Sequence, residues 1–199
     1  MILRATEQHD VGALQAIAMD SRVRATYRMG PTHISPADLW SFIVHDAALN
    51  LTVLDRRGQP IGLLRLYGLN NRDLTARMSV MMAPTAHATG TGLVAAGQLI
   101  DEAFAAFPIR KIYVEAAAAA LSLYHRGTVE IIQIEGQLKS HQWNGTMFED
   151  VFVGAIYRER WLGSTIRRRL IRTGRLKSSI AQLEDSAEPS QAKAISPYE

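Results

Sequence analysis

The sequence predicts an α+β domain: a mixed, mostly antiparallel twisted sheet flanked by helices. Three observations point there. The strand-like runs LTVLD, IGLLRLYG and ARMSVMMAP follow one another across the short polar turns RRGQP and LNNRD, which is the pattern of an antiparallel meander. A turn containing two glycines then opens into a long amphipathic helix, with Leu93, Ala96, Leu99, Ile100, Ala103, Phe104 and Phe107 at helical spacing until Pro108 ends it. A further strand and helix, and two strand-like runs around the hairpin dipeptide Asn144-Gly145, complete an order that is neither all antiparallel nor regularly alternating.

Taken in order, ILRAT is a short strand, and Thr6 is a candidate cap for a helix whose apolar positions are Val11, Leu14, Ile17 and Ala18. SRVRATYRMGPTH has turn chemistry and no period, so it reads as a loop over a cleft. A second helix starts at SPADLWSFIVHDAAL. There Ser35 is the cap, Pro36 occupies the first turn where its missing amide costs nothing, and Asp38 sits near the positive end. After the glycine turn and the long helix, RKIYVEA suits a strand and AAAAALSLYHRG a helix closed by Gly127. IRRRLIRTGRLK suits a helix carrying Arg167, Arg168, Arg169, Arg172, Arg175 and Lys177. From about residue 178 the chain is rich in Ser, Ala and Pro and is expected to be disordered. The expected organisation is one domain over 1–163, followed by a basic helical extension and tail over 164–199.

Composition removes several function classes. The chain has 199 residues and 47% apolar content, enough for a real core. It has no cysteine, which excludes disulfides and thiolate nucleophiles. The histidines at 9, 33, 45, 87, 125 and 141 show no HxH or HExxH spacing, so no metal is expected. No basic N-terminal region precedes a long apolar stretch, and no run approaches the ~18 apolar residues of a membrane span, so a cytoplasmic protein is expected. Through Gly163 the charged residues balance, 15 basic against 15 acidic; beyond it 7 basic face 4 acidic, which supplies the whole net charge of +3. A nucleic-acid surface on the main domain is therefore not expected. The basic run reads as a solvated face, with a dock for an acidic acyl carrier protein or for RNA as the alternatives.

The glycine turn, His87-Ala88-Thr89-Gly90-Thr91-Gly92-Leu93, reads either as loop punctuation or as bare backbone amides at a helix start, kept clear for a phosphate-bearing ligand. Two familiar phosphate loops are excluded. No Lys-Ser or Lys-Thr follows, and the third glycine of a dinucleotide fingerprint is replaced by Ala95.

His87-Ala-Thr-Gly90-Thr-Gly92 resembles the (Arg/Gln)-x-x-Gly-x-(Gly/Ala) loop of the GNAT superfamily of N-acyltransferases, which the chain also resembles in element order from residue 2 to about 161. That resemblance implies a GNAT fold and a loop whose amides, over 87–93, hold the diphosphate of acetyl-CoA or another acyl-CoA. It also implies that the preceding strand, with Val80, Met81 and Met82, runs beside the pantetheine arm. Flexible methionines at 78, 81 and 82 leave longer acyl chains open. Ala120-Leu-Ser-Leu-Tyr124 resembles the family's Ala-Ile-x-Leu-Tyr helix, whose tyrosine reprotonates the departing thiolate; a phenol is protonated near neutral pH and suits that task. The bland reading of Tyr124 is packing on an apolar helix face. The ending, Glu135-Gly136-Gln-Leu-Lys-Ser-His, Asn144-Gly145, Asp150 and Arg158-Glu-Arg-Trp161, resembles the Rim-type branch, which acetylates N-termini of ribosomal proteins and, in relatives, small amines.

The expected activity is acyl transfer from acyl-CoA to a primary amine by direct attack. Glu115 is the first candidate base, with Glu130 and Glu135 behind it. Tyr27, Trp40, Phe42 and Asp150 are candidate acceptor contacts. The rival expectation is a degenerate GNAT-fold module that binds CoA, an acyl carrier protein or a partner protein. It is motivated by His87, Ala117 and Thr128-Val129, which stand where the family has Arg/Gln, Asn and Gly-Phe. A homodimer through the hairpin edge is also open.

Overall fold

A computed structural model of the chain describes residues 1–26, 34–87, 89–117 and 130–176. Among them, strands β1 (Ile2–Ala5), β2 (Ala47–Leu54), β3 (Pro60–Asn70), β4 (Thr75–Met82), β5 (Lys111–Ala117), β6 (Ile132–Trp143) and β7 (Phe148–Tyr157) form one sheet. Its order is β1-β2-β3-β4-β5-β7-β6. Every neighbouring pair is antiparallel except β4 and β5, which run parallel. Connection length explains the exception, since short turns join the meander whereas a parallel neighbour needs a crossover. Here the crossover is helical: α4 (Pro84–His87) and then α5 (Thr91–Ala106). The expected mixed, mostly antiparallel α+β architecture is present.

The sheet separates two apolar layers because side chains alternate along a strand. Leu64, Leu66, Met78 and Met82 pack with Leu99, Ala103 and Phe104 of α5. Leu63 and Met81 point the other way, onto α1 (Val11–Met19) and α3 (Pro36–Val44), where Leu14, Ile17, Leu39 and Ile43 meet them. A short helix α2 (Ser21–Thr26) follows α1. After β7 the chain forms α6 (Arg158–Leu162) and α7 (Thr165–Arg172), whose Trp161 and Leu170, with Leu176 beyond, enter the α5 layer. Gly97 of α5 allows that approach: a Cβ there would lie 2.8 Å from Leu170 Cδ1 and 3.3 Å from Trp161 Cη2.

Several local expectations are met and some are corrected. Ser35 caps α3, accepting from the Asp38 amide at 3.1 Å with Pro36 in the first turn. Thr6 is not a cap. The chain first makes a 3-10 turn at Gln8–Asp10, capped at Glu7, and the Thr6 hydroxyl instead pairs with Thr52 Oγ1 at 3.1 Å. The segment after β4 is not a plain loop, since Pro84–His87 forms one helical turn before Gly90. Residues 144–147 separate β6 from β7, so the hairpin has a four-residue connection rather than a two-residue one. It closes because Asn144 Oδ1 accepts from the Thr146 and Met147 amides at 2.9 and 3.0 Å. Helix α7 ends at Arg172, and Gly174 takes φ +64°, which stops the expected longer helix before Arg175. Of the helix expected over 116–127, Ala116 and Ala117 instead extend β5, paired with Phe152 and Val151, while its remaining residues and the tail from 178 lie outside the described residues.

Candidate active site

β4 and β5 pair along three rungs only: Thr75 with Lys111, Ala76 with Ile112, and Arg77 with Tyr113. Beyond that point each strand stays bonded to its outer neighbour. β4 remains on β3 as far as Met82 opposite Gly62, and β5 remains on β7 as far as Ala117 opposite Val151. The inner edges therefore part, and a cavity of about 430 Å³ occupies the gap. Its walls come from both sides of the sheet. Leu93, Ala96, Ile100 and Trp161 belong to the α5 side, whereas Phe42, Arg65 and Tyr67 belong to the α3 side; Val80, Met81 and Glu115 stand on the parted strands. The opening is thus a passage through the sheet, suited to two reactants that arrive from opposite faces.

At the α5 end, the backbone is arranged for an anion. Gly90 is the N-cap at φ +70°, a left-handed conformation in which a side chain is strained, and nothing lies within 4 Å of where its Cβ would be. The Val94 amide closes the first turn onto Gly90 O at 3.2 Å, and the Thr91 amide reaches Thr89 Oγ1 at 3.3 Å. The Gly92 and Leu93 amides precede the first intrahelical bond, at the positive end of a sixteen-residue helix, where an anion could be held. At Gly92 a Cβ would sit 3.3 Å from Met82 Cγ, so bare backbone is also what lets α5 start tight against β4. Beside this turn, Thr89, Thr91, Val94 and Gln98 line a groove of about 1000 Å³ whose charged walls are Arg56 and Arg175 with Asp55 and Glu102. These features fit the diphosphate of an acyl-CoA. The His87 side chain and Ala88 lie outside the described residues.

The α3 side carries charge. Arg65 is only 4% exposed. Its guanidinium lies 4.2 Å from the centre of the Phe42 ring and 5.0 Å from that of Tyr67, and Nη2 donates to the His45 carbonyl at 3.0 Å. Burial pushes its pKa down from the usual value, while Tyr67 and Asp46 act in the opposite sense. Across the passage, Arg77 Nη1 donates to Glu115 Oε1. Because Arg65 faces Ser79 across the β3–β4 pair and Tyr67 faces Arg77, these groups share one face of the sheet.

The structure brings together Val80, Met81, Gly92, Leu93 and Glu115 at the cavity, with Thr89, Gly90 and Thr91 at its α5 mouth. Met82 sits behind them in the core. Other candidates are engaged elsewhere. Glu130 accepts from the Thr165 amide at 2.6 Å, and Glu135 is held below the usual carboxylate range by hydrogen bonds from Tyr157 and from Lys111, the latter at 2.9 Å. Neither lines the passage. Asp150, named as an acceptor contact, has both oxygens committed to its own hairpin, where it accepts from the Ser140 amide at 2.8 Å, Gln137 Nε2 at 2.6 Å and Lys139 Nζ at 3.0 Å. Those bonds secure the shift in β6–β7 pairing between Leu138 and Gln142, which explains an aspartate there without a substrate. Trp40 is half-buried against the α1–α3 layer and is not a wall of the cavity. Tyr27 and Tyr124 lie outside the described residues. Arg65 and Arg77 were missed by motif reading. The available signal was a charge embedded in the apolar run IGLLRLYG, which a solvated strand face does not need to place between buried neighbours.

Among the described residues no group of three or more His, Cys, Asp or Glu side chains is placed to hold a metal ion, and no helix is long and apolar enough to cross a membrane.

A family model described as an acetyltransferase (GNAT) domain matches residues 1–120. The chain belongs to the GNAT acetyltransferase family, and so to the acyl-CoA-dependent N-acyltransferases that use acetyl-CoA as donor. No curated protein sequence matches it at a significant level. Among solved structures, the spermidine N-acetyltransferase from Vibrio cholerae, in complex with CoA and spermine, superposes with a TM-score of 0.70 at 23% identity, covering 81% of this chain and 98% of that one. A chimera of the Vibrio cholerae enzyme with hSSAT gives a TM-score of 0.69 at 22% identity, covering 82% and 98%. These likenesses establish the GNAT fold.

Proposed function

We propose that this chain transfers an acetyl group from acetyl-CoA to a small primary amine, the donor entering from the α5 face and the acceptor from the α3 face. The observation that carries the reading is the parting of β4 from β5 beyond Arg77 and Tyr113, directly beside the bare amides of Gly92 and Leu93. The relatives support the acceptor class, since the Vibrio cholerae protein is a spermidine N-acetyltransferase. The Rim-type resemblance of residues 135–161 adds protein N-termini as a second acceptor arm for the same assay.

Bound acetyl-CoA supplies an acyl carbon already activated as a thioester. The protein's own tasks are then few. The amides of Gly92 and Leu93 take the diphosphate, and the parted edge of β4 around Val80 and Met81 aligns the arm that follows it. Glu115, oriented by Arg77 at the passage, takes the proton of the acceptor's ammonium so that a neutral nitrogen attacks the carbonyl carbon as the carbon–sulfur bond breaks. Tyr124, assigned on the Ala120–Tyr124 motif, gives its proton to the departing thiolate, and the second proton that the nitrogen sheds as the amide forms restores the phenol.

The test is thiol release from acetyl-CoA with a panel of primary amines, beside CoA-induced thermal shift. A rise in Tm together with amine-dependent thiol release supports the reading. A rise in Tm without release overturns the catalytic half and leaves a CoA-binding module, and no rise overturns both.

A further inference from the structure

Four charged side chains are buried among the described residues: Asp10, Arg65, Asp101 and Lys111. Three are paired with an opposite charge, Asp10 with Arg4 at 2.6 Å, Asp101 with Arg167 at 2.6 Å and Lys111 with Glu135 at 2.9 Å. Arg65 is the exception. No carboxylate of the described residues lies within ion-pair distance of it, and Asp46 reaches it only through its field. Its Nε is buried without a hydrogen-bond partner. The cross-strand neighbour, Asn50, has an amide oxygen that is likewise buried and unbonded, so the two orphan atoms do not satisfy each other. The Glu115 carboxylate, on the same face, is engaged by Arg77.

An unpaired buried guanidinium is expensive to keep, and proteins ordinarily neutralise one with a carboxylate or phosphate. The rings of Phe42 and Tyr67 lie against this one at the cavity wall, and a planar guanidinium is what bidentate carboxylate recognition requires. The donor's phosphates have their own seat at Gly90–Leu93, on the other side of the sheet.

Resting on the reading above, we propose that Arg65 receives a carboxylate carried by the acceptor, so that the substrate class is small amines bearing a carboxylate rather than polycationic amines. The carboxylate supplies the missing charge at the cavity wall, while the substrate's amino group extends toward Glu115 and the parting of β4 and β5. A polyamine would instead bring like charge against Arg65. The phenyl and phenol faces would still attract a cation, but the guanidinium already occupies them.

The experiment compares glycine, β-alanine, 4-aminobutyrate and 6-aminohexanoate with their primary amides, and with spermidine, in the acetyl-CoA thiol-release assay. The proposal expects at least one amino acid to exceed its own amide and spermidine by tenfold or more in kcat/KM. Arg65→Gln should cut that ratio to near one, chiefly through KM, while the CoA-induced rise in Tm is retained. Spermidine preferred over every amino acid, or an unchanged ratio in Arg65→Gln, overturns it. The wild-type comparison decides the matter even where Arg65→Gln does not fold. Should no amine be turned over, the proposed activity fails separately, and calorimetric titration of the four amino acids onto the CoA-saturated protein decides this inference alone. Binding of an amino acid without binding of its amide supports it; no binding overturns it.

Discussion

Arg77 and Glu115 are ion-paired across the point where β4 and β5 part, one on the last shared rung and the other two residues beyond the facing Tyr113. The pair sets a carboxylate at the mouth of the passage, 28% exposed and within reach of both solvent and cavity. Position in the sheet, not a local motif, puts it there.

If Glu115 takes the acceptor's proton, Glu115→Gln lowers kcat by about 100-fold, the lower end of what a positioned base contributes. The acidic limb of the pH–rate profile should flatten. A variant with the wild-type limb would reduce Glu115 to a strut for Arg77.

Gly90→Ala separates conformational strain from steric contact, because the added methyl meets nothing within 4 Å yet must adopt φ +70°. A left-handed non-glycine residue costs about 1–2 kcal/mol, which for a chain of this size lowers Tm by a few degrees, roughly 2–4 °C per kcal/mol. The substitution also falls on the turn proposed to hold the diphosphate. We expect KM for acetyl-CoA to rise about tenfold with kcat nearly unchanged, as when uniform binding is lost. A Tm loss with an unaltered KM would remove this turn from the donor site.

Asp10 makes stability fall in acid. Burial alone would raise its pKa, but hydrogen bonds from Arg4, from the Glu7 amide and from Thr52 outweigh it and leave the carboxyl below its ordinary value. The folded state therefore binds this proton less readily than the unfolded chain. The stabilisation is complete above the unfolded value of about 3.9 and is lost as pH falls through the lower folded value. Asp10→Asn should cost about 2–4 kcal/mol at pH 7, scaled down from a fully buried pair because Arg4 is 30% exposed. It should also remove part of the acid dependence, measurable by urea titration at pH 7, 4 and 3. Equal losses at all three values would contradict the linkage.

The segment after Gly163 is bound to the core through α7. Asp101 of α5 accepts from Trp161 Nε1 at 3.0 Å and from Arg167 Nε at 2.6 Å, while Leu170 and Leu176 are buried beside it. Truncation after Gly163 removes those two leucines and Arg167 together. At about 2 kcal/mol for each buried leucine, a loss near 4 kcal/mol is expected, with Asp101 left as an uncompensated charge. Denaturant unfolding of the truncated chain against the full chain measures it. An unchanged midpoint would restore residue 163 as a free-standing boundary.

Much of the scaffold was readable from residue order. The cap at Ser35, the helix between Leu93 and Pro108 and the hairpin strands on either side of Asn144 each follow from interactions within a few residues, which spacing alone encodes. The glycine turn was readable for the same reason, because an exposed helix start is a local object. Thr6 was misread where a distant partner, Thr52, decided the outcome, and the bonds of Asp150 within its own hairpin were equally out of reach of local spacing.

By itself, then, the sequence determined the α+β class, the order of its elements and the glycine turn that opens α5, since all of these rest on periodicity and on residues that shape their own immediate backbone. Only the tertiary structure decided where β4 leaves β5, that Arg77 and Glu115 meet there, and that Arg65 lies against two aromatic rings with no carboxylate of the described residues in ion-pair distance. Those facts depend on strand register and on contacts between residues up to 38 positions apart, and register is set by the packing of both sheet faces at once.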